Sequence, residues 1–434
     1  MANYEELLDE FPEKSRHQLQ AMWQSLPAPM QAELKGSLPL LPGDVKLWRM
    51  LVGMALTQFK IVVGNKQTVA IVGPANAGKS TLYNQLVRAP ADKAIVSLVP
   101  GTTRENQAAD AGLFSVVDTP GADAVGKVGE DEKERALAAA AGADFLIVMF
   151  DAGPGIRRSE QELYREFAAL EKPMLVVLNK IDLVRRDEKK VVERAALNLG
   201  LQADQIVPIS AKDGTHVERV LAAIAKTEPE MVAALARALP EYRWKLAWGA
   251  ITGAASTAAV IALAPLPVLD VIPLLAIQSA LVLSIARIYQ YDLTFKRARE
   301  LVVAFGLGFL GRTLFQELSK LGGPPGWLLA AAIASSTTVV MGYASILWFE
   351  RGERLTNENL KQITRSVTSY LVDSLRNLGK NRPDKKGLQE RIAEALEKAP
   401  IAERGVMDRT VELKADEGRA TKDEDNSLLD KGAA

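Results

Sequence analysis

The stretch Gly73-Pro-Ala-Asn-Ala-Gly-Lys-Ser80 directly follows the apolar run Thr68-Val-Ala-Ile-Val72, and residues 81–88 have the composition of a helix. A short apolar run that ends in glycine predicts a buried parallel strand. Strand, glycine-rich loop and helix, in this order, are the context in which the spacing Gly-x₄-Gly-Lys-Ser predicts a phosphate-binding loop. The sequence therefore predicts an α/β domain with a mainly parallel sheet, arranged around this loop.

The loop residues are expected to hold phosphate groups and a metal ion. Glycines let the backbone wrap around the phosphates with its N–H groups pointing inward, and the start of the helix adds its positive dipole end. Lys79 is expected on the β- and γ-phosphates, while the Ser80 hydroxyl completes a Mg²⁺ site. The predicted phosphate-binding residues are Gly73, Asn76, Ala77, Gly78, Lys79, Ser80, Thr81 and Gly121.

Two residues beyond the loop are expected near the metal. Asp118 ends a second apolar run, Phe114-Ser-Val-Val117, so its carboxylate should emerge at the carboxyl edge of the sheet, where it suits the outer shell of Mg²⁺. Thr103 lies in a polar segment that could bring its hydroxyl to the metal, although Thr102 competes for that role. The predicted Mg²⁺ ligands are Ser80, Thr103 and Asp118, and the predicted catalytic residues are Lys79, Thr103 and Gly121. A cap ahead of a Pro-Gly turn remains the alternative for Asp118.

A third polar cluster predicts which base is bound. Asn179-Lys-Ile-Asp182 follows the apolar run Met174-Leu-Val-Val-Leu178. A carboxylate accepts hydrogen bonds from the N1–H and 2-amino groups of guanine, which adenine lacks, and such a site rejects analogues strongly. The predicted guanine-binding residues are Asn179, Lys180, with its stem over the ring, Asp182, and Ser210, Ala211 and Lys212 behind the next strand.

Together with Thr102-Thr-Arg104 and Asp118-Thr-Pro-Gly121, these stretches resemble the five nucleotide-binding boxes of translation-factor-class P-loop GTPases of the Era/TrmE/Der branch. The resemblance covers about residues 66 to 226. It implies a Ras-like fold, binding of GTP and GDP, and hydrolysis of GTP with Mg²⁺. Ala122 stands where Ras-like proteins place the glutamine that orients the attacking water, and Asn76 matches an asparagine that helps to coordinate K⁺ in several relatives. The resemblance thus implies slow intrinsic hydrolysis, stimulated by K⁺ or dependent on a homodimer or an activating protein.

Composition limits the remaining functions. The chain has 434 residues, enough for two or three domains, with 53 basic and 53 acidic residues and no cysteine. Disulfides and zinc ribbons are therefore excluded, and two histidines cannot form a metal cluster. Zero net charge and the lack of a basic stripe argue against nucleic acid as a partner. No cleaved export signal is expected, because the N-terminus is acidic and lacks an apolar segment.

The domain organisation is predicted from changes in composition. We expect a helical extension at 1–66, the GTPase domain at 67–226, a connector at 227–245, a hydrophobic helical domain at 246–350, a charged helical segment at 351–412 and a disordered tail at 413–434.

The hydrophobic domain contains uncharged runs at 246–269, 271–286 and 321–349. A bilayer needs ~20 apolar helical residues, so the first and last runs are long enough to span it. The first run is rich in small residues, however, and Gly249-x₃-Gly253 is expected to form a close helix contact. A membrane hairpin and a soluble helical bundle both remain open.

The stretch Pro265-x-Pro267-x₂-Asp270-x₂-Pro273 resembles the YcjF-like domain fused to some bacterial GTPases, which implies a membrane-linked helical domain of unknown activity. The leading hypothesis is a GTP-dependent switch at the cytoplasmic face of a membrane. The alternatives are a soluble GTPase of ribosome assembly or tRNA modification, and a membrane-remodelling or scaffolding GTPase.

Overall fold

A computed structural model describes residues 60–62, 64–87, 113–119, 127–263, 271–291, 293, 325–353, 355–376 and 384–403. Thr103, Gly121, Asp270 and the predicted tail at 413–434 lie outside these residues, as does most of the predicted N-terminal extension. The chain divides into two units, one formed by residues 64–246 and one that contains the described residues from 247 onward together with 60–62.

The first unit is built on a five-stranded sheet in which all neighbouring strands are parallel. The strands are β1 (Val69–Pro74), β2 (Phe114–Thr119), β3 (Phe145–Asp151), β4 (Met174–Asn179) and β5 (Ile206–Pro208), in the order β2-β1-β3-β4-β5. The helices are α1 (Lys79–Leu86), α2 (Lys127–Gly142), α3 (Arg158–Ala168), α4 (Glu188–Leu199), α5 (Val217–Thr227) and α6 (Val232–Ala238). The predicted α/β fold with a parallel sheet is thus confirmed.

The central strands are buried because helices cover both faces of a parallel sheet. Residues 69–72 of β1 and 145–150 of β3 have no exposed surface. The strand order reverses at β1, which has β2 on one side and β3 on the other. Ligands of open α/β sheets bind outside the carboxyl ends of the strands at such a reversal. The fold therefore places the loop after β1 at the expected binding crevice.

The beginning of β1 is held by the carboxylate of Asp144. Its Oδ2 accepts hydrogen bonds from Gln67 N at 2.9 Å, Thr68 N at 3.0 Å and Thr68 Oγ1 at 2.8 Å. Burial acts to raise the pKa of Asp144, but the hydrogen bonds from Gln67 and Thr68 outweigh this effect and hold the pKa below its ordinary value. The ionised carboxylate therefore fixes the start of β1 beside β3.

The segment predicted as a connector, 227–245, is helical and belongs to the same unit as the sheet up to Leu246. It contains α6, which packs against α5, and its apolar residues Met231, Leu235 and Leu239 are at most 1% exposed. Glu228 is almost fully buried and pairs with Lys66 at 2.7 Å. Burial of these apolar side chains explains why this segment folds onto the domain.

The second unit is helical. Its elements are α7 (Arg243–Ile261, which begins in the first unit), α8 (Val271–Ile288), α9 (Gly326–Arg351), α10 (Asn357–Leu375) and α11 (Lys385–Glu397). Both α8 and α10 pack against α9. Among the described residues, α9 is the one helix long and apolar enough to cross a membrane, with 26 residues and a mean hydropathy of 1.5 over its most apolar window. Yet 94% of that window is buried inside the protein, so α9 forms the core of this unit.

A close contact between two helices lies at Gly342. A Cβ atom built on Gly249 would meet no atom of the described residues within 4 Å. On Gly342 of α9, the same atom would lie 2.4 Å from Cγ1 of Ile251 in α7. Gly342 thus permits a close approach of α7 and α9, whereas no described residue approaches Gly249, and the predicted role of Gly253 stays a prediction.

The helix α10 is amphipathic and covers α9. Thr356 caps its start by accepting a hydrogen bond from Asn359 N at 3.2 Å. Leu360, Val367 and Leu371 are buried on one face. Arg365 and Asp373 are exposed on the other.

Candidate functional site

The loop after β1 has a backbone that requires glycine at two positions. Gly73 has φ +146°, and a Cβ on it would lie 2.2 Å from the carbonyl oxygen of Met149. Gly78 has φ +95°, and a Cβ there would lie 2.2 Å from Asn179 Nδ2. Asn76, between them, also has a left-handed backbone with φ 63°. A side chain at either glycine would clash with neighbouring strand ends, so the loop conformation depends on both.

The predicted phosphate lysine is folded into this loop. Lys79 begins α1 and is only 3% exposed. Its Nζ donates hydrogen bonds to the carbonyl oxygens of Gly73 and Pro74, both at 2.7 Å. A buried ammonium needs such acceptors, because desolvation of an unpaired charge is costly. The ammonium therefore lies inside the loop that is predicted to surround the phosphates.

Several other predicted phosphate and metal ligands lie among the described residues near this loop. Ser80 and Thr81 lie half-buried in the first turn of α1, and Asn76 is exposed. Register pairs Gly73 of β1 with Asp118 of β2, so the two backbones meet at this edge. Hydroxyl and carboxylate oxygens are donors that Mg²⁺ prefers, so the residue types at Ser80 and Asp118 fit the ion.

One side chain joins the phosphate end to the base end. Asn179 ends β4 and is 3% exposed. Its Nδ2 donates to the carbonyl oxygen of Ala77 at 2.7 Å, and its Oδ1 accepts from Ala211 N at 2.9 Å. The structure thus brings together three segments that the sequence analysis assigned to a single ligand.

This arrangement changes what is expected of Ala211. Ala211 is one of the predicted guanine-binding residues, and in the structure its backbone N–H donates to Asn179 Oδ1. A base carbonyl would compete with Asn179 Oδ1 for this hydrogen. The second hydrogen on Asn179 Nδ2 can still donate to the base, because an amide carries two donors.

The carboxylate predicted to recognise guanine has an unfilled acceptor. Asp182 lies in a 3₁₀ turn, Ile181–Leu183, directly after β4. Its Oδ1 is buried and accepts no hydrogen bond from any described residue. A buried acceptor without a donor costs free energy that a ligand N–H recovers. Such an atom fits the N1–H and 2-amino donors of guanine.

The third base segment forms a tight turn after β5. Ser210 is fully buried and forms an antiparallel bridge with Thr215, whose carbonyl accepts from Ser210 N at 3.0 Å. Hydrogen bonds from Thr215 and from Arg185 hold the pKa of Asp213 well below its usual range. Lys212 is exposed at the tip of the turn. The turn therefore presents a fixed backbone to the base site.

Asp151 is a residue of this site that the sequence analysis missed. It ends β3 and forms an ion pair with Lys180, with Oδ2 and Nζ 2.6 Å apart. A signal for it was present, since Asp151 follows an apolar run just as Asp118 and Asn179 do. Thr103 and Gly121 lie outside the described residues, so their predicted roles at the metal and the γ-phosphate stay predictions.

Two family models match the chain. Residues 68–180 match the family described as "50S ribosome-binding GTPase", and residues 229–374 match "Domain of unknown function (DUF697)". The second match begins inside the helical segment that packs with the sheet, and it extends to the end of α10.

Similar proteins carry GTPase names. GTPase Der of Clostridium botulinum (strain Hall) is 35% identical over 165 residues, which are 35% of this chain and 37% of Der. The tRNA modification GTPase MnmE of Synechocystis sp. is 39% identical over 151 residues, 31% of this chain and 32% of MnmE. The chain thus covers about a third of the length of these relatives.

A solved structure of Aquifex aeolicus Era bound to GDP·AlF₄⁻ is 28% identical, covers 44% of this chain and 67% of its own, and has a TM-score of 0.30. The motifs, the strand order and the family matches lead to one assignment. Residues 68–180 are similar to P-loop GTPase domains of the Era/Der/TrmE branch, and residues 229–374 are similar to DUF697 domains.

Proposed function

We propose that this protein binds GTP and GDP with Mg²⁺ and hydrolyses GTP to GDP as a nucleotide-dependent switch. The observation that carries the proposal is the buried Oδ1 of Asp182, which accepts no hydrogen bond from the described part of the chain. Asn179 ties the segments around this acceptor to the phosphate loop. A single purine nucleotide that extends from Asp182 to Lys79 would donate hydrogen bonds to the Asp182 carboxylate and place its phosphates at the Lys79 ammonium.

The phosphate end acts through Lys79 and the loop backbone. On binding, the Lys79 ammonium would exchange the carbonyl oxygens of Gly73 and Pro74 for β- and γ-phosphate oxygens. The ion held by Ser80 and Asp118 would supply positive charge at the same oxygens. Because Lys79 is nearly buried, its charge acts in a medium of low dielectric, where it stabilises phosphate charge strongly.

Hydrolysis proceeds by attack of a water molecule on the γ-phosphorus. The bond between this phosphorus and the bridging oxygen breaks, giving GDP and inorganic phosphate. Lys79 stabilises the negative charge that develops on the leaving oxygen. Ala122 follows Asp118-Thr-Pro-Gly121 and has no group to orient the water, so we propose that intrinsic turnover is slow.

Direct titration of the purified chain with Mg²⁺ and either GTP or ATP tests the nucleotide assignment. We expect GTP to bind at least about 100-fold more tightly, because ATP leaves the Asp182 acceptor unpaired. Equal affinities for the two nucleotides would contradict the proposal.

Asn76 gives a finer proposal about the cation. It is exposed, with a left-handed backbone, in the loop that surrounds the phosphates. We propose that its amide oxygen helps to hold K⁺ there and that K⁺ speeds hydrolysis. Turnover in K⁺ buffer should exceed turnover in Na⁺ buffer, and Asn76→Ala should remove the difference. The same rate in both buffers refutes the proposal about K⁺ alone.

The homodimer is a separate proposal. Dependence of GTP turnover on protein concentration would reveal it.

A second candidate concerns the place of action. We propose that the helical unit holds the protein at the cytoplasmic face of a membrane, supported by the length and hydropathy of α9. The alternative is a helical bundle in water, which is compatible with the burial of α9 and the exposed charges of α10. Carbonate extraction of membranes separates the two, since a spanning helix resists extraction. Recovery of the protein in the soluble fraction together with ribosomes would favour a role in ribosome assembly. Deformation of liposomes that requires GTP would favour a role in membrane remodelling.

A further inference from the structure

Asp151 lies where the strands β3 and β4 end together. Register pairs Asp151 with Asn179, and Ala152 N donates to the carbonyl oxygen of Asn179 at 2.9 Å. The Asp151 carboxylate is therefore held next to the segment that carries Lys180 and Asp182. Its location follows from backbone pairing of two buried strands, which makes it rigid.

Both oxygens of the carboxylate have partners. Oδ1 accepts from Gly153 N at 2.8 Å, and Oδ2 accepts from Lys180 Nζ at 2.6 Å. The hydrogen bond to Gly153 fixes the rotation of the carboxylate, so that Oδ2 points at the lysine. The Asp151 carboxylate is thus held in place by Gly153 N independently of Lys180, which distinguishes this ion pair from one between two mobile surface side chains.

Lys180 needs such a partner. Its backbone is left-handed, with φ 66° and ψ 34°, a conformation that non-glycine residues adopt rarely and mainly at functional sites. Its side chain is 32% exposed, compared with 20% for Asp151. A lysine stem at that exposure has many rotamers available, and holding one of them in advance lowers the entropy lost when a ligand binds.

We propose that Asp151 is a positioning residue for guanine recognition, which holds Lys180 so that its stem lies over the plane of the base. This inference rests on the proposed function and adds a residue to it. Asp151 contacts Lys180 and acts on the nucleotide only through it. Loss of Asp151 should therefore weaken the binding of GDP and of GTP by the same factor, since the Asp151–Lys180 pair lies at the base end of the site.

A double-mutant cycle tests this route. The variants are Asp151→Asn, which keeps an acceptor for Gly153 N but removes the charge, Lys180→Met, which keeps an apolar stem but removes the ammonium, and both together. Affinity for a fluorescent GDP analogue is measured for each. We expect Asp151→Asn to weaken binding about 10-fold in the wild-type background and less than about 2-fold in the Lys180→Met background, because the pair acts as a unit.

Controls separate a positioning role from a structural one. Asp187→Asn removes a comparable charge from the exposed pair of Asp187 with Lys190, 3.2 Å apart in the same unit, and should leave GDP affinity unchanged. Thermal melting without nucleotide reports whether each variant folds. If Asp151→Asn does not fold, Asp151→Ser, whose hydroxyl can accept from Gly153 N, repeats the cycle.

The outcomes differ for the two proposals. A wild-type chain that binds no guanine nucleotide overturns the proposed function, and this inference with it. A wild-type chain that binds GDP, with unchanged affinity in Asp151→Asn, overturns the inference alone. An equal loss in both backgrounds also overturns it, because Asp151 would then act independently of Lys180.

Discussion

Asn179 Nδ2 donates a hydrogen bond of 2.7 Å to the carbonyl oxygen of Ala77, although the two residues lie 102 positions apart in the chain. The same amide accepts from Ala211 N through its other atom. A single buried side chain thus sets the distance between the phosphate loop and the two base segments. A displacement of one of these segments should shift the other two, because all three are joined through the buried side chain of Asn179.

Replacement of Asn179 should therefore destabilise the domain as well as weaken binding. Asn179→Ala leaves Ala77 O and Ala211 N buried without their partner, which should cost roughly 2–4 kcal/mol of unfolding free energy. Urea unfolding without nucleotide measures this cost. The exposed Asn357→Ala, in the helical unit, should change stability by less than about 0.5 kcal/mol. A stable Asn179→Ala variant would show that the amide bridge contributes little.

Removal of the buried ammonium should abolish turnover. For Lys79→Ala we expect GTP hydrolysis to fall by about 100-fold or more, since one preorganised charge facing the phosphates is lost. Phosphate release at saturating GTP measures it. Lys190→Ala, a change at an exposed lysine in the same unit, serves as the matched control and should keep full activity. Wild-type turnover in Lys79→Ala would place the phosphates elsewhere.

Base selectivity should follow the hydrogen-bond donors and acceptors of the side chain at residue 182. Asp182→Asn replaces an acceptor by a donor, so the 2-amino group of guanine loses its partner while the 2-carbonyl group of xanthine gains one. Affinity for GTP should fall at least about 100-fold and affinity for XTP should rise. Competition of both nucleotides against a fluorescent analogue measures the change. Asp204→Asn, at an exposed aspartate of the same unit, should alter neither affinity.

The Asp144 carboxylate should make the stability of the sheet depend on pH. Its pKa is lower in the folded chain than in the unfolded one. Its contribution is therefore complete above the unfolded pKa of about 4, and it is lost as the pH falls through the folded pKa. Asp144→Asn should cost about 1 kcal/mol at pH 7, a modest value because solvent screens the group. Urea unfolding at pH 7 and pH 3 should show the gap closing in acid, and a gap that widens there would contradict this assignment.

Two glycines in the helical unit should respond in opposite ways. Gly342→Ala forces a Cβ against Ile251, which should destabilise the helical unit by roughly 1–3 kcal/mol. Gly249→Ala meets nothing in the described residues and should stabilise α7 by about 0.5–1 kcal/mol. Thermal unfolding of both variants provides the comparison. Combining Gly342→Ala with Ile251→Ala should recover part of the loss, and no recovery would mean that the strain lies elsewhere.

Much of this protein was predictable from local sequence. The strands predicted at 68–72, 114–117 and 174–178 are observed with boundaries that differ by at most two residues. Apolar runs that end in glycine, aspartate or asparagine predict buried parallel strands, because such strands bury both faces and carry their polar residues at the carboxyl end. The glycine spacing of the phosphate loop is likewise local, since it reflects backbone angles that glycine adopts most readily.

Contacts between distant segments were decided by the tertiary structure. Pairing of β3 with β4 brings Asp151 to Lys180, and the crossing of α7 and α9 selects Gly342 over Gly249 as the close-contact glycine. The burial of α9 also depends on its neighbours, because an apolar run is equally suited to a lipid bilayer and to a helical core. Sequence alone determined which chemical groups are present and the backbone conformation around them. Strand register and helix packing decided which of these groups meet, since those distances depend on how the whole chain is folded.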